Sequence, residues 1–356
     1  MFPLSYIWLS ALSLRSILPL LGVPSILLTV FITGLQIIEF LLLLSKREYR
    51  LFDYCLPLFL LIILVVYNSA TLATVNIVLG IILLKNQNIK KILTLFCFMS
   101  LFQIFLHISC IHLGKLEDVL YIMPKGIGHS LGWSNSNGPA GFYISNIIVI
   151  SLFLISFLKE RFTFISFLLL YPIYYIFQLT LGRTYFYGAV LFFFLIFIFK
   201  FSFFQNHFAK IYLYLPVLLY ICTFLGCMLF ERYPILDIIF TTRFSKNSVL
   251  LNSMGIINWI LGLKIPDGPM DSAFCAQLFA GGVTSVYIFI RTYKHGVSKM
   301  NNRYMRLYFP FILYMLASGF AENTFSSFSV NTIIFYKILI DNICFTNKLY
   351  KNPYLR

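Results

Sequence analysis

Apolar runs of about 20 residues, separated by short clusters of lysine and arginine, recur from one end of this chain to the other. Each run is long enough to cross a bilayer as a helix, the form in which a segment satisfies its own backbone hydrogen bonds. Of the 356 residues, 60% are hydrophobic and only 11% are charged, with a mean hydropathy of +0.88. Soluble domains carry about 25% charged residues, so this chain cannot solvate a globular surface. A cytosolic enzyme, a disulfide-rich secreted module and a disordered tail are all excluded. The pattern predicts an all-α polytopic membrane protein in a lipid bilayer.

A net charge of +15 invites a nucleic-acid partner, and the distribution of the charge argues against one. The basic residues cluster between apolar runs: KREYR at 46–50, KNQNIKK at 85–91, KER at 159–161 and RTYKHGVSKMNNRYMR at 291–306. Lys200 with Lys210, and the tail with Lys348, Lys351 and Arg356, complete the set. The other loops mix basic residues with Glu117, Asp118, Glu231, Asp237, Asp267, Asp271 and Glu322. One side is positive and the other balanced, as the positive-inside rule expects. The basicity reports topology, and no nucleic acid is implied.

The runs read as spans over 2–22, 24–44, 52–70, 71–84, 92–113, 139–158, 162–180, 184–204, 211–230, 273–290, 307–320 and 326–342. With every basic cluster in the cytoplasm, about twelve spans alternate sides consistently and both termini are cytoplasmic. If residues 1–22, which include Arg15 and Pro19, lie on the interface, the count becomes eleven and the N-terminus moves outside. The whole chain, 1–356, reads as one integral domain with extracytoplasmic loops at about 114–138 and 231–272. Within the second loop, SMGIINWILGL (253–263) is apolar and carries Trp259, which suits an interfacial helix. No basic segment precedes the apolar start, so no cleavable signal is expected. Seven cysteines without a CxxC pair suggest neither a disulfide framework nor a thiolate metal site.

The informative polar residues collect on the outer side. GIGHSLGWSNSNGPAGFY (126–143) is glycine-rich and carries His129, Asn135 and Asn137 directly before a span. LTLGRTYF (179–186) sets Arg183 in a short outer turn. TTRFSK supplies Arg243, IPDGPMDSAF supplies Asp267 and Asp271, and ASGFAENTFSS places Glu322 between the last two spans. Each residue has a plain structural reading. Arg183 snorkels to headgroups, Arg243 is a solvated charge, His129 is a structural hydrogen-bonder and Asp271 complements a helix start. Glu322 is harder to dismiss, because an ionisable group beside apolar spans needs a partner or a cavity. Together they suit one chemistry. Two guanidinium forks match diphosphate oxygens, and a carboxylate supplies the base that transfer to a hydroxyl needs. Asparagine amides and the flat rings of residues such as Trp259 suit sugars. Neither HExxH nor DxD is present, no His and carboxylate cluster has ligand spacing, and no Walker loop occurs, so neither a metal, nor ATP, nor any other cofactor is expected.

These short motifs, in order over about 126–330, resemble those of the Wzy-type polysaccharide polymerases, in the superfamily that also holds O-antigen ligases. HSLGWSNSNG is similar to the family's SLGF-x-H/N-P-N-x-x-G segment, with Asn135 at the His/Asn position, Ser136 for Pro, Asn137 retained, and His129 where many members carry Arg. LGRTYF resembles S-R-T-x-F, with Gly182 for Ser and Arg183 retained, and TTR would supply the second arginine, Arg243. MDSAF followed by AGGV resembles D-N-x-Y…G, with Ser272 for Asn, and AENTF resembles the late Glu-containing segment. The resemblance implies a GT-C-like, metal-independent, inverting glycosyltransferase at the outer face of the bacterial cytoplasmic membrane. It would join undecaprenyl-pyrophosphate-linked oligosaccharides into O-antigen or capsule, with a chain-length regulator as a further partner. On that reading Arg183 and Arg243 bind pyrophosphate, with Arg243 also in the catalytic set. Asp271 or Glu322 is the base or orients the acceptor, while His129, Asn135, Asn137 and Trp259 bind substrate.

Three other readings stand beside it. An O-antigen ligase uses the same donor, but residues 231–272 lack the histidine usual in the ligase loop. A flippase or transporter would show repeats and broken, charged helices at the midplane. A membrane acyltransferase would carry a His beside an Arg-rich motif early in the chain, where only His107 and His112 occur.

Overall fold

The structure is a computed structural model that describes residues 3–44, 71–123, 126–158, 162–207, 209–235, 243–263, 272–322, 324 and 327–351. Helix α1 (Pro3–Leu14) is followed by a 3-10 turn (Leu18–Leu21), then α2 (Ser25–Leu44), α3 (Thr71–Leu84) and α4 (Ile89–His112). Strands β1 (Leu120–Met123) and β2 (Gly126–His129) lead to α5 (Asn137–Leu158), α6 (Phe162–Thr180), α7 (Arg183–Ile198), the short α8 (Ser202–His207) and α9 (Ala209–Leu229). The remainder is α10 (Arg243–Asn252), α11 (Ile256–Leu261), α12 (Ala273–Ser298), α13 (Asn302–Ala321) and α14 (Val330–Lys351). The protein is helical, and α2, α4, α5, α9 and α12 each contain a stretch long and apolar enough to cross a membrane.

Three departures from the expected elements have local causes. Residues 2–22 are not one continuous helix, because Pro19 enters a 3-10 turn and Gly22 (φ 88°) closes it with N–H bonds to Leu18 and Pro19 carbonyls. Loop 114–138 holds an antiparallel hairpin, with Leu120 opposite His129 and Ile122 opposite Ile127. The loop over 231–272 also contains α10, which its sequence did not suggest, whereas α11 falls within the segment 253–263 read as a helix. The expected span 52–70 lies outside the described residues.

The chain packs as two compact units. The first comprises Met1–Leu42, Asn86–Ser202 and Asn302–Tyr314. Inside it, Glu39 on α2 is fully buried and takes hydrogen bonds from the Ser5 hydroxyl and, at 2.8 Å, from the Trp8 indole of α1. A lone carboxylate at such depth would be costly, so these donors are what make it tolerable. Phe192 on α7 and Phe199 just past its end are fully buried and meet Phe311 and Phe309 edge to face or tilted.

The second unit comprises Leu43–Lys85, Phe203–Asn301 and Met315–Arg356. Its core is aromatic: Tyr220 packs on Phe274 and Phe289, and Phe289 on Phe335 and Tyr336. Buried Lys337 on α14 reaches both Asp341 and the carbonyl of Lys85, just past the end of α3. Helix α12 is interrupted at Gly281 (φ −155°, ψ 19°) and Gly282 (φ 61°, ψ −165°). Against this break lies α11, close enough that the Leu263 N–H donates to the Phe279 carbonyl at 2.7 Å. The Ser285 hydroxyl donates to the carbonyls of Gln277 (2.7 Å) and Gly282 (2.9 Å), replacing bonds the interruption removes.

Candidate functional site

In the first unit the hairpin, the start of α5 and the α6–α7 turn assemble at one end. Strand β2 packs on α6. A Cβ on Gly126 would touch the Leu181 side chain at 3.3 Å, and one on Gly182 would sit 2.4 Å from Ala140 Cβ. That contact gives the physical reason for glycine at position 182: a serine there would push the turn off α5. Arg183, the first residue of α7, is exposed.

Asp118 organises the hairpin. Its Oδ2 lies 2.5 Å from His129 Nδ1, and its Oδ1 accepts from the Leu131 N–H at 2.9 Å. Burial works against the Asp118 charge, but the hydrogen bonds from His129, Leu131 and Ser130 outweigh it and hold the carboxyl below its ordinary value. With the folded value depressed, this stabilisation is present above the ordinary aspartate pKa and fades only as pH falls through the lower folded one. Independently of His129, the Val119 N–H donates to Ser130 Oγ at 2.8 Å and the Ser130 N–H to the Val119 carbonyl at 3.0 Å. Below the hairpin, fully buried His107 of α4 bridges the Tyr143 hydroxyl (2.7 Å) and the Leu131 carbonyl (2.9 Å). The carbonyl can only accept, so Nε2 carries the proton and the tyrosine donates to Nδ1. The His107 ring also packs 4.6 Å from Trp133.

Asn135 and Asn137 lie at the start of α5. Asn135 Oδ1 accepts from the N–H groups of Asn137 (3.0 Å) and Gly138 (2.9 Å), which is the work of a helix cap. Asn135→Ala is therefore expected to cost about 1 kcal/mol, read as a lower thermal midpoint in detergent, while Asn135→Asp keeps the acceptor and the midpoint.

In the second unit Arg243 and Glu322, 79 residues apart, meet: Nη2 donates to Oε1 at 2.9 Å, with side chains 14% and 18% exposed. Arg243 opens α10 and Glu322 follows the last residue of α13. The pair is held by packing on both sides. Phe244 is buried beside Gly226 of α9 and meets Phe320 edge to face at 6.0 Å. Ser272 Oγ, just before α12, reaches the Gly319 carbonyl at 3.5 Å. Asp267 and Asp271 lie outside the described residues. Trp259 is 38% exposed on α11, with Ile256, Ile257 and Ile260 also exposed, a composition suited to an interface.

The structure thus joins Arg243 to Glu322, and sets His129 beside Asp118. Arg183, His129, Asn135 and Asn137 belong to the first unit, whereas Arg243, Glu322 and Trp259 belong to the second. Asp118 and His107 were not singled out as site residues from the sequence. The signal for Asp118 is its place two residues before Leu120, diagonal to His129, visible only once the strands are paired. No group of His, Cys, Asp and Glu among the described residues is arranged to hold a metal ion. In comparisons with known proteins, no family, no curated protein and no solved structure matches this chain.

Proposed function

We propose that this protein is a polysaccharide repeat-unit polymerase of the Wzy type, working at the outer face of a bacterial cytoplasmic membrane. On this reading about twelve spans form a GT-C-like body with both termini in the cytoplasm. The enzyme transfers the growing glycan from one undecaprenyl diphosphate to a sugar hydroxyl of the next lipid-linked unit, with inversion and without a metal. The observation that carries the reading is the Arg243–Glu322 ion pair at 2.9 Å. Its two members come from separate motifs of the resemblance, and an arginine held by one carboxylate is a fork set for oxyanions. The leaving diphosphate carries the charge, so guanidinium groups lower the barrier as the bond breaks.

The interruption of α12 supports a second reading, a transporter of the same lipid-linked sugars, since discontinuous helices mark such proteins. A clean deletion strain separates the readings. For a polymerase, surface polysaccharide resolved by length collapses to core plus a single repeat unit. Bare core with accumulated lipid-linked polymer would make the protein a ligase. Lipid-linked single units retained on the cytoplasmic side would make it a transporter.

A further inference from the structure

We propose that Asn247 of α10 binds the sugar ring next to the diphosphate, through a hydroxyl or acylamino substituent of that ring. The inference rests on the glycosyl-transfer reading above and adds one residue to its site. Arg243, Asn247 and Glu322 all belong to the second unit. Asn247 follows Arg243 by one turn, so the two side chains share a face of α10 with about 5–6 Å between their Cβ atoms. With the guanidinium on the diphosphate, the amide is left within reach of the sugar that the diphosphate carries. Asn247 is only 4% exposed, yet its side chain has no hydrogen-bond partner among the described residues.

An amide at that depth is costly unless something pairs with it, and this chain shows the usual remedy elsewhere. Asn146, 8% exposed on α5, donates its Nδ2 to the Phe142 carbonyl four residues back at 2.9 Å. Asn247 makes no such bond to the Arg243 carbonyl, and Phe244, buried one turn before it, offers no polar side-chain atom. Arg243 and Glu322 are already joined to each other. The free amide both donates and accepts, as a hydroxyl or an acylamino group does, so the two bond in both directions. A phosphate oxygen, which only accepts, would use half of it. A hydrogen bond beside the anomeric carbon also strengthens as that carbon gains positive charge in glycosyl transfer.

The test uses the full-length protein in detergent with two probes, undecaprenyl diphosphate and lipid-linked units extracted from the deletion strain. Asn247→Leu keeps the branched outline of the side chain, and Asn247→Ala carries the test if the leucine overpacks. Without a probe, the leucine variant is expected to melt at or above the wild-type midpoint, because an unpaired amide is gone. The lipid-linked unit raises the wild-type midpoint more than undecaprenyl diphosphate does, whereas the variants respond equally to both. In liposomes the variants join units about 100-fold more slowly. Equal stabilisation of the wild type by both probes would overturn the assignment, as would variants with wild-type rates and a retained preference for the lipid-linked unit. A probe-free midpoint lowered in both variants would overturn it too, since it marks an amide that holds the fold directly or through a water. A wild-type protein stabilised by neither probe removes the lipid-linked-sugar reading, and Asn247 with it.

Discussion

Arg243→Ala is expected to yield cells that display core with a single repeat unit, although the variant protein is still inserted. The arginine is only 14% exposed and donates to Glu322 at 2.9 Å, so its removal has two separable consequences. One is structural: Glu322 is left a part-buried charge without its counter-ion, a loss of roughly 3 kcal/mol. The other, on the proposed function, is chemical: the diphosphate loses a planar, bidentate donor. The double variant Arg243→Ala with Glu322→Ala distinguishes them. Removing both charges restores the charge balance of the pair, so the thermal midpoint recovers while polymer does not. Arg243→Lys keeps the charge without the fork and is expected to give short, sparse chains. Normal polymer from the alanine variant would take Arg243 out of the site.

Gly282→Ala prevents the second unit from reaching its native packing. The backbone there has φ 61° and ψ −165°, a region that essentially only glycine enters. A Cβ would lie 2.2 Å from the Ile260 carbonyl oxygen and 2.4 Å from its carbon, both backbone atoms that cannot rotate away. Strain of about 1–3 kcal/mol is therefore joined by a steric clash that is relieved only by moving α11 off α12. The measurement is the thermal midpoint and protease resistance of the detergent-purified protein. Gly34→Ala serves as the control, since a Cβ at that position in α2 meets nothing within 4 Å. It is expected to be neutral or slightly stabilising, as glycine is a poor residue for a helix interior. A Gly282→Ala protein as stable as the control would mean that the interruption and the docked α11 are not features of the folded state.

Much of the helical framework is legible without coordinates because lipid imposes it one segment at a time. Runs read at 24–44, 71–84, 139–158 and 162–180 coincide to within two residues with Ser25–Leu44, Thr71–Leu84, Asn137–Leu158 and Phe162–Thr180. Where the reading falls short, tertiary packing decides. The interruption at Gly281 and Gly282 leaves the hydropathy of its segment untouched, so nothing in an apolar run announces it. The hairpin turns on a few residues whose alternation is too brief to weigh against a loop. Among the polar residues, sequence singled out a small set because charge is rare in this chain. It left the partnerships open: nothing local in TTRFSK points to Glu322, and a glycine-rich segment does not reveal that Asn135 caps a helix.

The interleaving of the two units bears on how the protein can be made. Neither is a continuous stretch: the first needs Asn302–Tyr314 and the second needs Met315–Arg356. Helix α13 (Asn302–Ala321) therefore supplies the last residues of one and opens the last segment of the other. As the ribosome delivers the chain from its N-terminus, neither unit can close before α13 emerges, so the usual order of one finished domain before the next is not open to it. Until then, surfaces destined for burial, such as Phe192 and Phe199, wait for Phe309 and Phe311 among the lipids. A polypeptide stopped before residue 302 lacks part of both units.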